Sequence, residues 1–153
     1  MDDLVTTQWL ANNLGADDLA IVDCSAFMPA DNRDGAAEFR DAHIPGARFL
    51  DIAVVADRSN PAPHRLPSAA DFGAAMVALG VGRDDRIVVY DNSPLRTAAR
   101  GWFMLRHFGA DRVAILDGGF QKWRKEGRPI EQGDATPRKA RFDAVAAAGD
   151  VVG

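Results

Sequence analysis

The chain has 153 residues, 47% of them hydrophobic and 26% charged, which is the balance of one globular domain and excludes intrinsic disorder and collagen-like structure. A formal net charge of −4 without a long basic run argues against a nucleic-acid partner, and a single cysteine excludes a disulfide framework and a cysteine-rich zinc site. No apolar run reaches the ~18–20 residues of a membrane helix, and the acidic start is not that of a signal peptide. We therefore expect a cytoplasmic protein without a membrane partner.

Short β-rich runs alternate with helical patterns along the chain. Helices are predicted where apolar residues recur three or four apart between a capping residue and a glycine, and strands where short apolar runs end in polar residues. In chain order these are a helix over residues 6–14, a strand over 19–23, a helix over 35–42, a strand over 47–50, a proline-rich loop over 58–67, a helix over 68–80, a strand over 86–90, a helix over 97–108, a strand over 112–116 and a helix over 119–126. This alternation favours an α/β fold with a parallel sheet covered on both faces.

The end of the chain has a different composition. Residues 131–153 contain Pro137, a basic stretch of Arg138, Lys139 and Arg141, and then an alanine-rich run. We predict a domain over residues 1–130 and a linker over residues 131–153 that leads to something beyond this sequence. The basic side chains are expected on a solvated face or tail rather than in a binding patch.

The candidate site is expected where strands end. In a parallel α/β sheet, ligands bind beyond the carboxyl ends of the strands, so residues 23–34, 91–97 and 117–119 matter most. A loop that curls onto a helix N-terminus, as residues 91–97 are predicted to do, presents N–H groups to an anion and can hold a cysteine at its first position as a thiolate. That position is Asp91, which cannot carry a persulfide but can itself accept the loop's N–H groups. The alternative is an ordinary strand–helix turn capped by Asp91 and Ser93.

Three segments resemble the rhodanese-like sulfurtransferase domain, and the resemblance covers roughly residues 4–130. Residues 38–47 read Glu-Phe-Arg-Asp-Ala-His-Ile-Pro-Gly-Ala, and residues 117–123 read Asp-Gly-Gly-Phe-Gln-Lys-Trp. Between them, Asp91-x4-Arg96-Thr97 keeps the spacing of the family's active Cys-x4-Arg-Ser/Thr loop. The resemblance implies a rhodanese-like, mostly parallel five-stranded sheet with helices on both faces.

The chain is still more similar to the N-terminal, non-catalytic half of tandem sulfurtransferases that use 3-mercaptopyruvate or thiosulfate. Residues 57–67 (Asp-Arg-Ser-Asn-Pro-Ala-Pro-His-Arg-Leu-Pro) and the helix over 99–109, which resembles the family's Ala-Pro-Arg-x-Trp-Trp pattern, carry this similarity. It implies that a cysteine persulfide forms in a C-terminal rhodanese domain outside this sequence and that this chain alone is inactive. The implied partners are that C-terminal domain and a small sulfur-donor anion, and we expect no cofactor and no metal.

The resemblance also assigns residues to a site. The relic active-site loop consists of Asp91, Asn92, Ser93, Pro94, Leu95, Arg96 and Thr97. His64 matches a histidine that in some mercaptopyruvate enzymes joins a serine–histidine–acid relay, although Ala53 stands where the acid is expected. His64 is thus a possible cleft or relay residue, and Arg100 and Trp102 are possible interface residues.

The remaining cysteine and histidines have structural interpretations. Cys24 follows a buried strand and is interpreted as a small buried hydrophobe rather than a second thiol of the site. His43 is expected to hydrogen-bond a loop, and His107, late in a helix, is expected to be exposed to solvent.

Two function hypotheses therefore remain for the chain. It is either the inactive half of a sulfurtransferase or a free-standing inactive rhodanese module that binds or regulates a protein partner. The coding frame beyond Gly153 distinguishes them, because a second unit with Cys-Gly-x-Gly-x-Thr supports the first and a stop codon supports the second. An arginine-loop phosphatase of similar topology is excluded because the loop has no cysteine.

Overall fold

A computed structural model describes residues 2–27, 32–51, 68–92 and 97–143. Its elements, in chain order, are β1 (Leu4–Val5), α1 (Thr7–Asn13), β2 (Leu19–Asp23), α2 (Gly35–Asp41), β3 (Ala47–Phe49), α3 (Ala69–Leu79), β4 (Arg86–Tyr90), α4 (Ala98–His107), β5 (Val113–Leu116) and α5 (Gly119–Lys125). The expected α/β fold is confirmed. The five strands form one sheet in the order β1-β5-β4-β2-β3, and every neighbouring pair is parallel.

The helix ends follow the capping signals of the sequence. The Thr6 side chain accepts a hydrogen bond from the Trp9 amide at 3.0 Å before α1, and the Ser68 side chain accepts one from the Asp71 amide at 3.1 Å before α3. Gly80 ends α3 with a φ of 84°, in the left-handed region that glycine adopts most easily. These contacts stabilise the helix termini and fix where each chain segment turns back toward the sheet.

Two hydrophobic cores lie on opposite faces of the sheet, because successive strand residues point to opposite sides. Val22 and Val89 pack with the buried side chains of α3 and α4. Ile21 and Val88 pack with those of α1, α2 and α5. The sheet is therefore covered by helices on both faces, as expected. None of the described helices is long and apolar enough to cross a membrane.

Two local features differ from the sequence-based expectations. The short edge strand β1 pairs with β5 through Leu4 and Ile115, although no strand was predicted there. His107 is only 8% exposed, so its predicted exposure is wrong. The centroid of its ring is 5.8 Å from that of the exposed Phe103 and 4.7 Å from that of the buried Phe108, so His107 is covered by packing against a core residue.

Residues 131–143, the first part of the predicted linker, lie against the domain. Glu131 pairs with His43 through backbone hydrogen bonds, and Phe142 is 5% exposed within the core beneath α3. Arg138 forms an ion pair with Asp85 at 2.6 Å, so this basic residue is not part of a solvated tail. The domain boundary at residue 130 stays a prediction.

Candidate functional site

The three polar segments that follow β2, β4 and β5 meet at the carboxyl edge of the sheet. These strands are neighbours, so their ends lie side by side. The Asn92 amide donates to Ser25 Oγ at 2.8 Å, the Thr97 hydroxyl donates to the Cys24 carbonyl at 2.5 Å, and the Phe120 amide donates to the Asp91 carbonyl at 3.0 Å. The sheet topology thus brings together residues that are distant in the chain.

Asp91 links the end of β4 to the beginning of α4. Its Oδ2 accepts a hydrogen bond from the Ala98 amide at 2.7 Å, one of the N–H groups that the first turn of a helix leaves without an internal partner. The side chain of Thr97, which directly precedes α4, makes no capping bond to the helix. A carboxylate at this N-terminus is also favoured by the helix dipole. Asp91 therefore accepts a helix N–H group from the position that the sequence predicts as the first of the loop.

Gly119 allows α5 to begin directly against the end of β4. A Cβ added to Gly119 would lie 2.8 Å from the Asp91 carbonyl oxygen, and the φ of Gly119 is 62°, in the left-handed region. The close approach lets the next amide, that of Phe120, donate to the same carbonyl. The Asp-Gly-Gly motif thus holds the backbone of Asp91 in place.

A buried hydrogen-bond network lies beside the loop. Asp23, at the end of β2, is 5% exposed, and Ser25 is 4% exposed. Asp23 Oδ1 accepts from both the Ser25 amide at 2.9 Å and the Ser25 hydroxyl at 2.6 Å. Since Ser25 Oγ in turn accepts from the Asn92 amide, the network connects a buried acidic side chain to the backbone that follows β4.

The environment of Asp23 shifts its ionisation. Burial raises the pKa of this carboxyl to about 6, the two hydrogen bonds from Ser25 oppose the rise, and the nearby negative charge of Asp91 adds to it. Asp23 and Asp91 are thus two neighbouring acidic side chains, and Asp23 is desolvated by its burial.

Cys24 is close enough to Asp23 and Asp91 to be influenced by both, but it is not available for chemistry at the surface. Its side chain is 0% exposed, which confirms the interpretation as a small buried hydrophobe. Burial raises the pKa of the thiol well above its ordinary value, and the charges of Asp23 and Asp91 raise it further. Because the thiolate is the reactive form, Cys24 is held in its unreactive state.

A cleft of about 460 Å³ lies beside Asp91. It is bordered by the ends of β4 and β5, the N-terminal turns of α4 and α5, and the exposed side chain of Leu4. Its polar groups are carboxylates and amides; the lining residues include Asp91, Asn92, Asp117 and Gln121. In the described parts of the chain, no three His, Cys, Asp or Glu side chains are grouped as metal ligands.

The other predicted site residues fall in different places. Arg100 lies on α4, with its guanidinium 5.8 Å from the centre of the Phe103 ring. Trp102 is half-buried, and its indole N–H donates to the Val113 carbonyl at 3.1 Å. His64, Ala53 and the loop residues Ser93, Pro94, Leu95 and Arg96 lie outside the described residues.

His43 makes the loop contacts that were expected of it. It is 0% exposed, with Nδ1 at 2.9 Å from the Phe39 carbonyl and Nε2 at 3.2 Å from Glu131 Oε1. Sequence reasoning missed the roles of Asp23 and Ser25, although an Asp followed two residues later by a Ser commonly forms a local side-chain turn. That signal identifies a turn, but the contact with Asn92 requires the fold.

Comparisons with known proteins agree with this architecture. Residues 6–126 match the rhodanese-like domain. The chain is 44% identical over 128 residues to thiosulfate/3-mercaptopyruvate sulfurtransferase 2 of Arabidopsis thaliana, covering 84% of this chain and 37% of that protein. It is 38% identical over 141 residues to the 3-mercaptopyruvate sulfurtransferase of Escherichia coli K12, and this match covers 92% of this chain and 50% of that protein. A solved structure that matches is the crystal structure of SseA from Escherichia coli, a 3-mercaptopyruvate sulfotransferase with the rhodanese fold. The match covers 99% of this chain and 58% of the SseA chain, with 36% sequence identity and a TM-score of 0.91.

These matches define both the family and the extent of the likeness. The chain spans 37% of the length of the Arabidopsis relative and 50% of that of the Escherichia coli relative. The rhodanese-like match covers most of the chain, and the five-stranded parallel sheet agrees with that of the solved relative. The resemblance read from the motifs is thus confirmed, and the chain belongs to the rhodanese-like domain family.

Proposed function

We propose that this chain is the non-catalytic half of a sulfurtransferase that uses 3-mercaptopyruvate or thiosulfate, and that a second rhodanese domain outside this sequence carries the reactive cysteine. The observation that carries the proposal is the Asp91 carboxylate, which stands at the first loop position and accepts from the Ala98 amide at 2.7 Å. A carboxylate there fills the anion cradle and cannot form a persulfide. The similarity to half of each sulfurtransferase relative supports the remainder.

In this proposal the chemistry takes place in the second domain. Its cysteine thiolate attacks the outer sulfur of thiosulfate, whose S–S bond breaks to release sulfite, or the thiol sulfur of 3-mercaptopyruvate, whose C–S bond breaks to release the enolate of pyruvate, which then takes up a proton. The enzyme persulfide then passes the sulfur to a thiol or to cyanide. The present chain contributes one wall of the cleft and an interface, for which Arg100, Trp102 and the 45% exposed ring of Phe103 are the candidates on α4.

We expect the chain alone to show no turnover with thiosulfate and cyanide or with 3-mercaptopyruvate. The reason is that Asp91 replaces the nucleophile, while the thiol of Cys24 is buried and protonated. Formation of thiocyanate and of pyruvate measures the two activities, with the Escherichia coli 3-mercaptopyruvate sulfurtransferase as positive control. Turnover that is abolished by Cys24→Ser would contradict the proposal and make Cys24 the sulfur carrier.

The reading frame beyond Gly153 separates this proposal from its alternative. A second rhodanese unit with an active-site cysteine supports the sulfurtransferase half. A stop codon directly after Gly153 supports a free-standing inactive module that binds or regulates a protein partner. In the first case, the chain extended by its second unit should show the turnover that the chain alone lacks.

His64 is expected to contribute to turnover in the two-domain protein. There, His64→Ala should lower the rate with 3-mercaptopyruvate more than the rate with thiosulfate, because only the former is proposed to use a histidine relay. Since Ala53 cannot orient the histidine, we expect a loss of about 10²-fold, the lower end for general acid–base catalysis. Steady-state rates with both donors measure this. Unchanged rates on both would leave His64 without a mechanistic role.

A further inference from the structure

We propose that residues 131–143 form an integral strap of the rhodanese unit that fastens its two helical layers together across the amino-terminal edge of the sheet. The strap is independent of the proposed sulfurtransferase function. It implies that any following domain leaves from a fixed point on this unit rather than from a flexible tether that begins at residue 131.

The first anchor of the strap is a backbone pairing with the segment after α2. The amides and carbonyls of His43 and Glu131 exchange two hydrogen bonds, at 2.9 and 2.8 Å, and the Gly133 amide donates to the Arg40 carbonyl at 2.8 Å. Glu131 Oε1 also lies 3.2 Å from His43 Nε2 and 3.3 Å from the Gly46 amide. Because several of these hydrogen bonds join backbone atoms, they fix the course of the strap backbone as well as the position of the Glu131 side chain.

The second anchor is Arg138, which bridges three turns at the amino-terminal edge. Its guanidinium donates to the Gly80 carbonyl at 2.7 Å, to the Asp17 carbonyl at 2.7 Å and to both Asp85 carboxylate oxygens, at 2.6 and 3.1 Å. The side chains of Arg138 and Asp85 are 24% and 16% exposed. Such a partly buried, two-pronged pair is more rigid than a surface ion pair. The strap backbone is also close here, because a Cβ on Gly80 would lie 2.7 Å from the Arg138 carbonyl oxygen.

The third anchor places the strap in the core beneath α3. The Arg83 amide donates to the Arg141 carbonyl at 3.0 Å, and the Arg83 guanidinium donates to the Asp143 carbonyl at 2.8 Å. Between these bonds, the Phe142 ring packs edge-on against Phe72 at a centroid distance of 5.6 Å. Burial of an aromatic ring of this size contributes far more to the stability of the fold than a contact at the surface does.

The strap contacts both layers of the fold. Ala135 packs against the core that contains α1, α2 and α5, whereas Phe142 belongs to the core that contains α3 and α4. Separation of either helical layer from the sheet must therefore break contacts with the strap. The described strap ends at Asp143, next to the outer face of α3 formed by Ala70, Ala74 and Val77.

Amide hydrogen exchange of the whole chain tests the strap directly. We expect the amides of Glu131 and Gly133 to exchange at least ~100-fold more slowly than in an unstructured peptide and with the same denaturant dependence as the sheet amides. Exchange of both amides at the unstructured rate would show that residues 131–143 are a tether and overturn the proposal.

Two alanine substitutions distinguish the effect of losing a buried core side chain from the effect of losing an exposed apolar side chain. Phe142→Ala should lower the urea midpoint of unfolding and accelerate exchange of the Arg83 amide about tenfold or more. Ile130→Ala, at a residue that is 45% exposed, is the matched control and should change neither quantity. Equal midpoints for the two variants would overturn the proposal. Failure of Phe142→Ala to fold would support it, since a tether residue is not required for folding.

Discussion

Relative to wild type, Asp23→Asn should be about 2–3 kcal/mol more stabilising at pH 8 than at pH 4. Burial raises the pKa of the Asp23 carboxyl from 3.8 to about 6. This is a shift of roughly two units, each equivalent to about 1.36 kcal/mol. Asparagine keeps an oxygen that can accept from Ser25 and carries no charge at any pH, so it removes the cost of a buried carboxylate.

The sign follows from the protons bound in each state. Below pH 3.8 the carboxyl is protonated in both the folded and the unfolded chain, and it contributes nothing. Between pH 3.8 and about 6 the folded chain keeps a proton that the unfolded chain loses, so stability falls as the pH rises. Above about pH 6 the buried carboxylate destabilises the folded chain by its full amount. The stability difference between variant and wild type should therefore grow through this window and then remain constant.

Urea unfolding at a series of pH values between 4 and 8 measures this difference. Asp84→Asn is the matched control because it removes a carboxylate whose residue is exposed and thus relieves no burial. Comparing each variant with wild type at the same pH cancels the contributions of the other titrating groups. A difference for Asp23→Asn that is equal at pH 4 and pH 8 would contradict the raised pKa.

The fold was predictable where local patterns were strong. The bounds of β2 and β4 agree with the prediction residue for residue, because each is a short apolar run that stops at a polar segment. The helices predicted to start at residues 6 and 68 likewise begin there, where the Thr6 and Ser68 side chains cap α1 and α3. The edge strand β1 was not predictable because two residues are too few to show alternation.

Contacts between distant residues account for most of what the sequence did not reveal. Arg138 and Asp85 are 53 residues apart, and nothing in the composition of the basic stretch indicates their pairing. In the same way, the position of Asp91 and its role as an acceptor for N–H groups were predictable from the motif spacing. The connection from Asp23 through Ser25 to Asn92, by contrast, depends on how β2 lies beside β4. The local sequence indicates which chemical group stands at a position, but the sheet topology determines which distant residues that group contacts.

Asp91→Cys should produce a thiol whose pKa lies below the free-cysteine value of ~8.5. The variant places sulfur at the end of β4, where the Ala98 amide now bonds a carboxylate oxygen at 2.7 Å. That N–H group and the positive end of the α4 dipole favour a thiolate. From the resemblance to the active loop, we expect Arg96 to add a further positive charge. The substitution also removes the Asp91 carboxylate, which otherwise raises the pKa of Asp23.

The titration should be done in a Cys24→Ser background, so that each variant has one thiol. The rate of alkylation as a function of pH gives the thiol pKa. Asp84→Cys in the same background is the control, because this residue is exposed and precedes a strand rather than a helix. We expect its thiol to titrate near ~8.5 and the Asp91→Cys thiol to titrate lower.

The comparison decides what the sequence has lost at this loop. A lowered pKa at position 91 means that the anion cradle persists and that only the nucleophile has been replaced. One opposing influence is the carboxylate of Asp23, whose own pKa is raised in part by the charge at position 91. If the Asp91→Cys thiol titrates at or above the control, the hydrogen bond to α4 no longer selects an anion, and the cradle has been lost together with the cysteine.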